Sequence, residues 1–195
     1  MWSAREARAV AGGASAFQMC VLAAFYTVVI PGKSVSHVLA GDDEICIAFT
    51  IVFTLLAYVQ LLNMGFFFVT YTDPESDVCQ SGMSAAFVAA WMLSLTLRYP
   101  IGTGQHLTVA TLLICSYMLA LFMQQYDGLG RTRASICTMA LYGAAGVTLV
   151  VWLCTRNNRF EWAAWGLLTL VQCMLNLVIT PRLEQPAPLW QFSPV

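Results

Sequence analysis

Long apolar runs alternate with short polar segments along the whole chain. Six runs have roughly the 20 mainly apolar residues that a helix needs to cross a bilayer. They cover about Ala11–Ile30, Ile45–Thr70, Ser81–Leu97, Leu107–Tyr126, Ala134–Cys154 and Trp162–Thr180. Charged residues lie between the runs or at their ends, and the runs lack the period-two alternation of membrane barrel strands. Because backbone groups in lipid must bond within their own segment, each run is predicted to be a helix.

The pattern predicts an all-α fold, a polytopic transmembrane bundle of six helices with short loops. The bundle is expected to occupy residues 1–181, and a Pro-rich C-terminal tail residues 182–195. Composition agrees, since 59% of the 195 residues are hydrophobic and only 10% are charged, whereas soluble domains carry about 25% charged residues. The sequence therefore predicts an integral membrane protein.

Charge and cysteine usage exclude several functional classes. The net charge is −1 and no basic patch is present, which predicts no nucleic-acid partner. None of the seven cysteines forms a CxxC pair, which argues against a disulfide framework and a zinc site. No GxSxG elbow and no P-loop occur, so whether the chain is an enzyme stays open at this stage.

Polar and small residues inside the runs predict how the helices pack. Two amide pairs lie one turn apart, and in lipid such side chains should face protein and bond across helices. These pairs are Gln60 with Asn63 and Gln172 with Asn176. Small residues recur at close spacing in the third run (Gly82, Ala86, Ala90) and in the fifth (Ala140, Gly143, Ala144, Gly146). Both sets are expected to pack within the bundle.

The candidate site lies on one face of the predicted bundle. The loops after the first, third and fifth spans must open on the same side, which we call the odd-loop face. This face holds His37, His106, Arg156, Asn157, Arg159 and Glu161. One interpretation is a lipid headgroup site in which Arg156 or Arg159 holds a phosphate, with Asn157 and His37 as further binding residues. His106 and Glu161 would then supply acid–base function.

Two other interpretations of the odd-loop face compete with the lipid site. The loops could be a solvated boundary that only marks the membrane surface. A metal or haem site using His37 and His106 is the third interpretation, but histidines in loops make poor axial ligands and their spacing matches no metal motif. Neither a metal nor a cofactor is therefore predicted.

Three segments of the chain resemble the Frag/DRAM/Sfk family of six-span eukaryotic membrane proteins. The first, after the first run, is Pro31-Gly32-Lys33-Ser34 followed by Gly41. The second is His106, which precedes the fourth run, with Ala110 four residues later inside it. The third is Arg156 to Trp162, which leads into the sixth run. The last segment is similar to the short family loop that ends in Glu-Trp. Gly32 stands where the family usually has an aromatic residue, and Leu107 stands where it often has an acidic one.

The resemblance implies cytosolic termini and a role in lipid-linked processes of the endomembrane system (Golgi, ER or lysosome). One branch of the family acts in lipid remodelling of GPI anchors, and others modulate autophagy or membrane lipid organisation. Membrane lipids are then the expected partners. The alternative is a non-catalytic accessory subunit of a larger membrane complex, such as a respiratory assembly of the mitochondrial inner membrane, whose partners would be other membrane proteins.

Overall fold

The computed structural model describes residues 4–29, 33–39, 41–99, 103–128, 133–155 and 157–179. These residues form seven α-helices and no strand. The helices are α1 (Ala4–Ala24), α2 (Val35–Leu39), α3 (Glu44–Tyr71), α4 (Asp77–Thr96), α5 (Gly104–Gly128), α6 (Arg133–Thr155) and α7 (Asn158–Met174). Turns of π-helix extend α1 over Phe25–Val29 and α7 over Leu175–Ile179. Six of the helices, all except α2, are long and apolar enough to cross a membrane.

The all-α fold and the six spans are confirmed, and the chain is an integral membrane protein. The predicted tail at 182–195 and the boundary at residue 181 lie outside the described residues. All six spanning helices begin earlier than the apolar runs indicate, and at α4 and α7 the earlier start is explained by a polar residue that caps the helix. The Ser76 side chain accepts a hydrogen bond from Cys79 N and caps α4, and Asn157 accepts from Arg159 N and caps α7.

A short helix in the first loop, α2, is a feature that the sequence interpretation missed. Ser34 begins it, since its hydroxyl accepts a hydrogen bond from the backbone N–H of His37 at 3.1 Å. Val35 and Val38 are fully buried in an apolar cluster that also includes Trp162 of α7. The loop therefore folds over one end of the bundle and closes it.

The two sets of small residues take opposite positions. A Cβ on Gly82 of α4 would lie 2.2 Å from the ring of Phe68, so α3 and α4 approach closely there. Ala86 is also buried, as predicted. In α6, however, Ala140, Gly143 and Ala144 are exposed, so the prediction is wrong for these three residues, whereas a Cβ on Gly146 would lie 3.5 Å from Met118 of α5. The reason is that α6 packs mainly against α7 and presents the rest of its surface outward.

Three of the four predicted amides inside the spans bond across helices, whereas Gln172 has no hydrogen bond among the described residues. Asn63 of α3 donates to Asn176 in the π-helical turn after α7 at 2.7 Å. Gln60 accepts a hydrogen bond from the Tyr117 hydroxyl of α5 at 2.9 Å and donates to Gln18 of α1. These hydrogen bonds join four helical segments in the interior of the bundle, where an unpaired polar group is costly.

Candidate functional site

The odd-loop ends of the helices enclose a cavity, which we call the end cavity. It contains about 560 Å³ of empty space, including its mouth. Its lining comes from five helices and the residue after α4: Val35, Leu39, Thr96, Leu97, His106, Ala110, Leu113, Ile114, Trp152, Glu161 and Trp165. Most of these side chains are apolar, and His106 and Glu161 are its titratable residues. An apolar pocket with a few polar groups is the usual form of a small-molecule site.

His106 lies in the first turn of α5, where hydrogen bonds hold both its backbone and its ring. Its backbone N–H donates to the Thr103 hydroxyl at 3.2 Å, and Nδ1 lies 3.0 Å from the carbonyl oxygen of Tyr99. Because a carbonyl only accepts, Nδ1 carries the proton in this contact. In the neutral ring Nε2 then keeps its lone pair, as a general base requires.

Glu161 lies in the first turn of α7 and is buried, with 2% of its surface exposed. Burial of a carboxyl group among apolar side chains costs free energy and is uncommon without a structural or functional role. The helix N-terminus partly offsets this cost, since the helix dipole favours an acidic group there. Glu161 is therefore a helical wall residue of the cavity, and not the loop residue that the sequence predicts.

Three other candidates, His37, Asn157 and Arg159, do not line the end cavity with His106 and Glu161. His37 is exposed on α2, where its ring bonds to the Ser34 hydroxyl. Asn157 has the structural role of capping α7. Arg159 is exposed and lines a different surface, and Arg156 lies outside the described residues. Of the five candidates that the structure describes, two therefore line the end cavity.

Arg159 lies at a groove between α1 and α7, which we call the α1–α7 groove. This groove has about 570 Å³ of empty space. Its lining is Met19, Leu22, Ala23 and Tyr26 of α1 with Arg159, Trp162, Ala163 and Gly166 of α7. The two sites lie on different sides of α7, because Arg159 and Glu161 are two residues apart and an α-helix turns about 100° per residue.

Two tryptophans of the end cavity were missed in the sequence. Trp165 follows Glu161 by four residues, so the spacing alone places both on one face of a helix once α7 is known to begin at Asn158. Trp152 near the end of α6 has no such signal, because its place in the cavity depends on how α6 packs against α7. Trp165 also packs edge-on against Phe53, with ring centroids 5.5 Å apart.

No family model matches the chain, and no curated protein or solved structure is similar to it. The resemblance to the Frag/DRAM/Sfk family therefore stays a prediction, and the functional argument depends on the geometry of the bundle.

Proposed function

We propose that the protein binds the polar headgroup of a membrane lipid in the end cavity. The observation that carries this proposal is that His106 and the buried Glu161 line one largely apolar cavity at the end of the spans. A cavity at this level of the bundle is within reach of lipid headgroups, which lie where the helices leave the hydrocarbon core. Its apolar walls suit the glycerol and first methylenes of a lipid.

The chemistry of the two polar residues suits a ligand with hydroxyl groups. The lone pair of His106 Nε2 can accept a hydrogen bond or a proton from a hydroxyl, since Nδ1 is held by the Tyr99 carbonyl. Glu161 can accept hydrogen bonds when ionised and donate one when protonated. A histidine and a carboxyl group facing one ligand are also the usual pair for proton transfer. Remodelling of a GPI-anchor lipid, which the family resemblance implies, is the most specific form of this proposal.

The test uses the full chain in lipid nanodiscs with a lipid that carries a photoreactive group in its headgroup. We expect His106→Ala and Glu161→Gln to lower labelling by about tenfold, which corresponds to the loss of one charged or strong hydrogen bond. His37→Ala is the matched control, because His37 is an exposed histidine on the same face. Equal labelling of His106→Ala and His37→Ala would contradict the proposal.

Cells carrying His106→Ala then separate remodelling from binding. If the protein remodels GPI anchors, their fatty-acid composition changes in this variant and stays normal in His37→Ala. A normal composition together with lost labelling supports lipid sensing without remodelling. Melting temperatures of the purified variants check that each one is folded.

A second candidate, an accessory subunit of a larger membrane complex, is favoured by the exposed small residues of α6. Ala140, Gly143 and Ala144 would let a helix of another protein approach closely. In this case the native mass of the wild-type protein in mild detergent exceeds that of one chain, and Gly143→Leu reduces it. If the wild type and Gly143→Leu both have the native mass of a single chain, the protein is not an accessory subunit.

A further inference from the structure

The α1–α7 groove combines a charged end with an apolar floor. Arg159 lies in the first turn of α7, where the guanidinium has no ion pair and no hydrogen bond to any other described residue. The remaining lining is apolar apart from the Tyr26 hydroxyl and the Trp162 indole N–H. The end cavity uses neither Arg159 nor any other residue of this groove.

The charged end suits a phosphate group. A guanidinium presents paired N–H donors that match two oxygens of a phosphate, and it keeps its charge at every physiological pH. The positive end of the α7 dipole adds to this preference for an anion. Arg159 is exposed, so a ligand can reach it without any rearrangement of the bundle.

The apolar floor continues from Arg159 toward the middle of the span. Gly166 follows Arg159 by seven residues and therefore lies about 10 Å deeper along the helix axis, at 1.5 Å per residue. A Cβ on Gly166 would meet no atom within 4 Å, so the groove is open at this depth. Ala163, between these two positions, adds only a methyl group to the floor.

The wall of the groove is fixed by contacts that do not depend on a ligand. The Trp162 indole N–H donates to the carbonyl oxygen of Lys33 at 2.8 Å, and the rings of Trp162 and Tyr26 have centroids 6.0 Å apart. The hydrogen bond also places Lys33 near the groove, although its ammonium group lies 3.7 Å from Asp43. Lys33 and Asp43 thus form an exposed ion pair near the groove, and Arg159 is the charged residue of its lining.

We propose that the α1–α7 groove binds an anionic glycerophospholipid, with the phosphate on Arg159 and an acyl chain over Gly166. A lipid fits because its charged head and its chain are arranged along the membrane normal in the same order as Arg159 and the apolar floor. A transmembrane helix of another protein would fit less well, because only its charged end could contact Arg159. This site is separate from the end cavity, since the two lie on different sides of α7.

The test compares binding of phosphatidic acid and phosphatidylcholine to the full chain by native mass spectrometry in detergent. The wild type is expected to prefer phosphatidic acid. Arg159→Gln should reduce this preference by about tenfold and weaken phosphatidylcholine binding less, because the choline cation already offsets the single negative charge of that phosphate. Arg159→Lys keeps the charge but not the paired donors, so an intermediate preference is expected.

Glycine variants test the acyl-chain half of the proposal. Gly166→Phe fills the groove and should weaken binding of both lipids, and Gly166→Leu serves if the larger variant does not fold. Gly13→Phe is the matched control, because Gly13 is an exposed glycine of α1 outside the groove lining whose Cβ would also meet no atom within 4 Å. An unchanged preference in Arg159→Gln, or equal binding by Gly166→Phe and Gly13→Phe, would overturn the proposal.

Discussion

The two sides of α7 show how one short polar segment can serve two different surfaces. Glu161 is buried and lines the end cavity between five helices, whereas Arg159, two residues earlier, is exposed at a groove formed by α1 and α7 alone. In a loop these two side chains could converge on one ligand. On a helix they point about 200° apart, so the separation follows from the backbone and not from any detail of packing.

The side of α7 that begins at Glu161 continues as the inner face of the helix. Trp165, Leu168, Gln172 and Asn176 follow at intervals of four, three, four and four residues, the spacing of one helical face. Beyond Glu161, which lines the end cavity, the polar groups of this face are enclosed by protein, and substitutions there should mainly change stability. On the Arg159 side, polar groups face the bilayer, and substitutions should mainly change lipid binding.

The largest expected difference in the free energy of unfolding is between substitutions at two adjacent residues of α7. Trp165 packs against Phe53 and Tyr117, so Trp165→Ala should lower the free energy of unfolding by about 3 kcal/mol. Gly166 faces the open groove, and Gly166→Ala should raise the free energy of unfolding by about 0.5–1 kcal/mol because alanine favours the helix. Unfolding in mixed micelles measures both. A larger loss in Gly166→Ala than in Trp165→Ala would refute the distinction between the two sides.

Lower on the inner face, the hydrogen bond from Asn63 to Asn176 should make a smaller contribution. Asn176→Leu leaves a buried donor of Asn63 unpaired and should cost about 1–3 kcal/mol. In a double-mutant cycle with Asn63→Leu we expect a coupling energy of about 1 kcal/mol, the range found for hydrogen bonds between membrane helices. Val178→Leu, at an exposed position of the same π-helical turn, is the control. Additive effects of the two Asn substitutions would show that the pair is not coupled.

These contrasts also indicate what the sequence could and could not predict. The six spans follow from hydrophobic length alone, and the bonding of the Asn63 and Asn176 amides follows from the scarcity of partners in lipid. Hydropathy misplaces the start of α7, because its first turn is polar. The capping residue Asn157 carries the correct signal, since Asn before a helix commonly satisfies a free N–H.

The other wrong predictions concern which helix surfaces pack against each other. Small residues allow a close approach but do not specify the approaching helix, so Gly82 meets Phe68 while the similar residues of α6 face outward. The same holds for the candidate site. His106 and Glu161 line one cavity because α5 and α7 begin at the same end of the bundle, and Arg159 is separated from them by the rotation of α7.

A buried amide without hydrogen-bond partners lies on the inner face of α7, and its substitution is expected to stabilise the protein. Gln172 is fully buried, and neither of its amide atoms has a hydrogen bond among the described residues. Gln172→Met keeps the length of the side chain and removes these atoms, so it should stabilise the bundle by about 1 kcal/mol. Gln60→Met is the matched control and should destabilise it, because Gln60 bonds to Gln18 and Tyr117. Destabilisation by Gln172→Met would show that water or a polar ligand bonds to this amide.

The smallest expected effect is at the mouth of the α1–α7 groove. A hydrogen bond from the backbone N–H of Cys46 holds the pKa of the Asp43 carboxyl below its usual value, with smaller contributions from the Cys46 thiol and the charge of Lys33. Asp43 is therefore ionised at neutral pH and partly offsets the charge of Lys33. Asp43→Asn keeps a residue that can cap α3 but removes this negative charge. We expect phosphatidic acid to bind this variant about twofold more tightly at low salt, an effect that higher salt screens.

The lowered pKa also fixes how this effect depends on pH. A carboxyl whose pKa is lower in the folded protein contributes stability above its unfolded value of about 3.9 and loses it as the pH falls through the folded value. Titration of Asp43 should therefore leave wild-type affinity unchanged between about pH 5 and 8. The pH series uses phosphatidylglycerol, because its phosphodiester keeps one charge from about pH 5 to 8, whereas the phosphomonoester of phosphatidic acid titrates in this range. The gain in Asp43→Asn should then be constant. A gain that disappears toward pH 5 would mean that Asp43 titrates there, and that the Cys46 hydrogen bond does not keep it ionised.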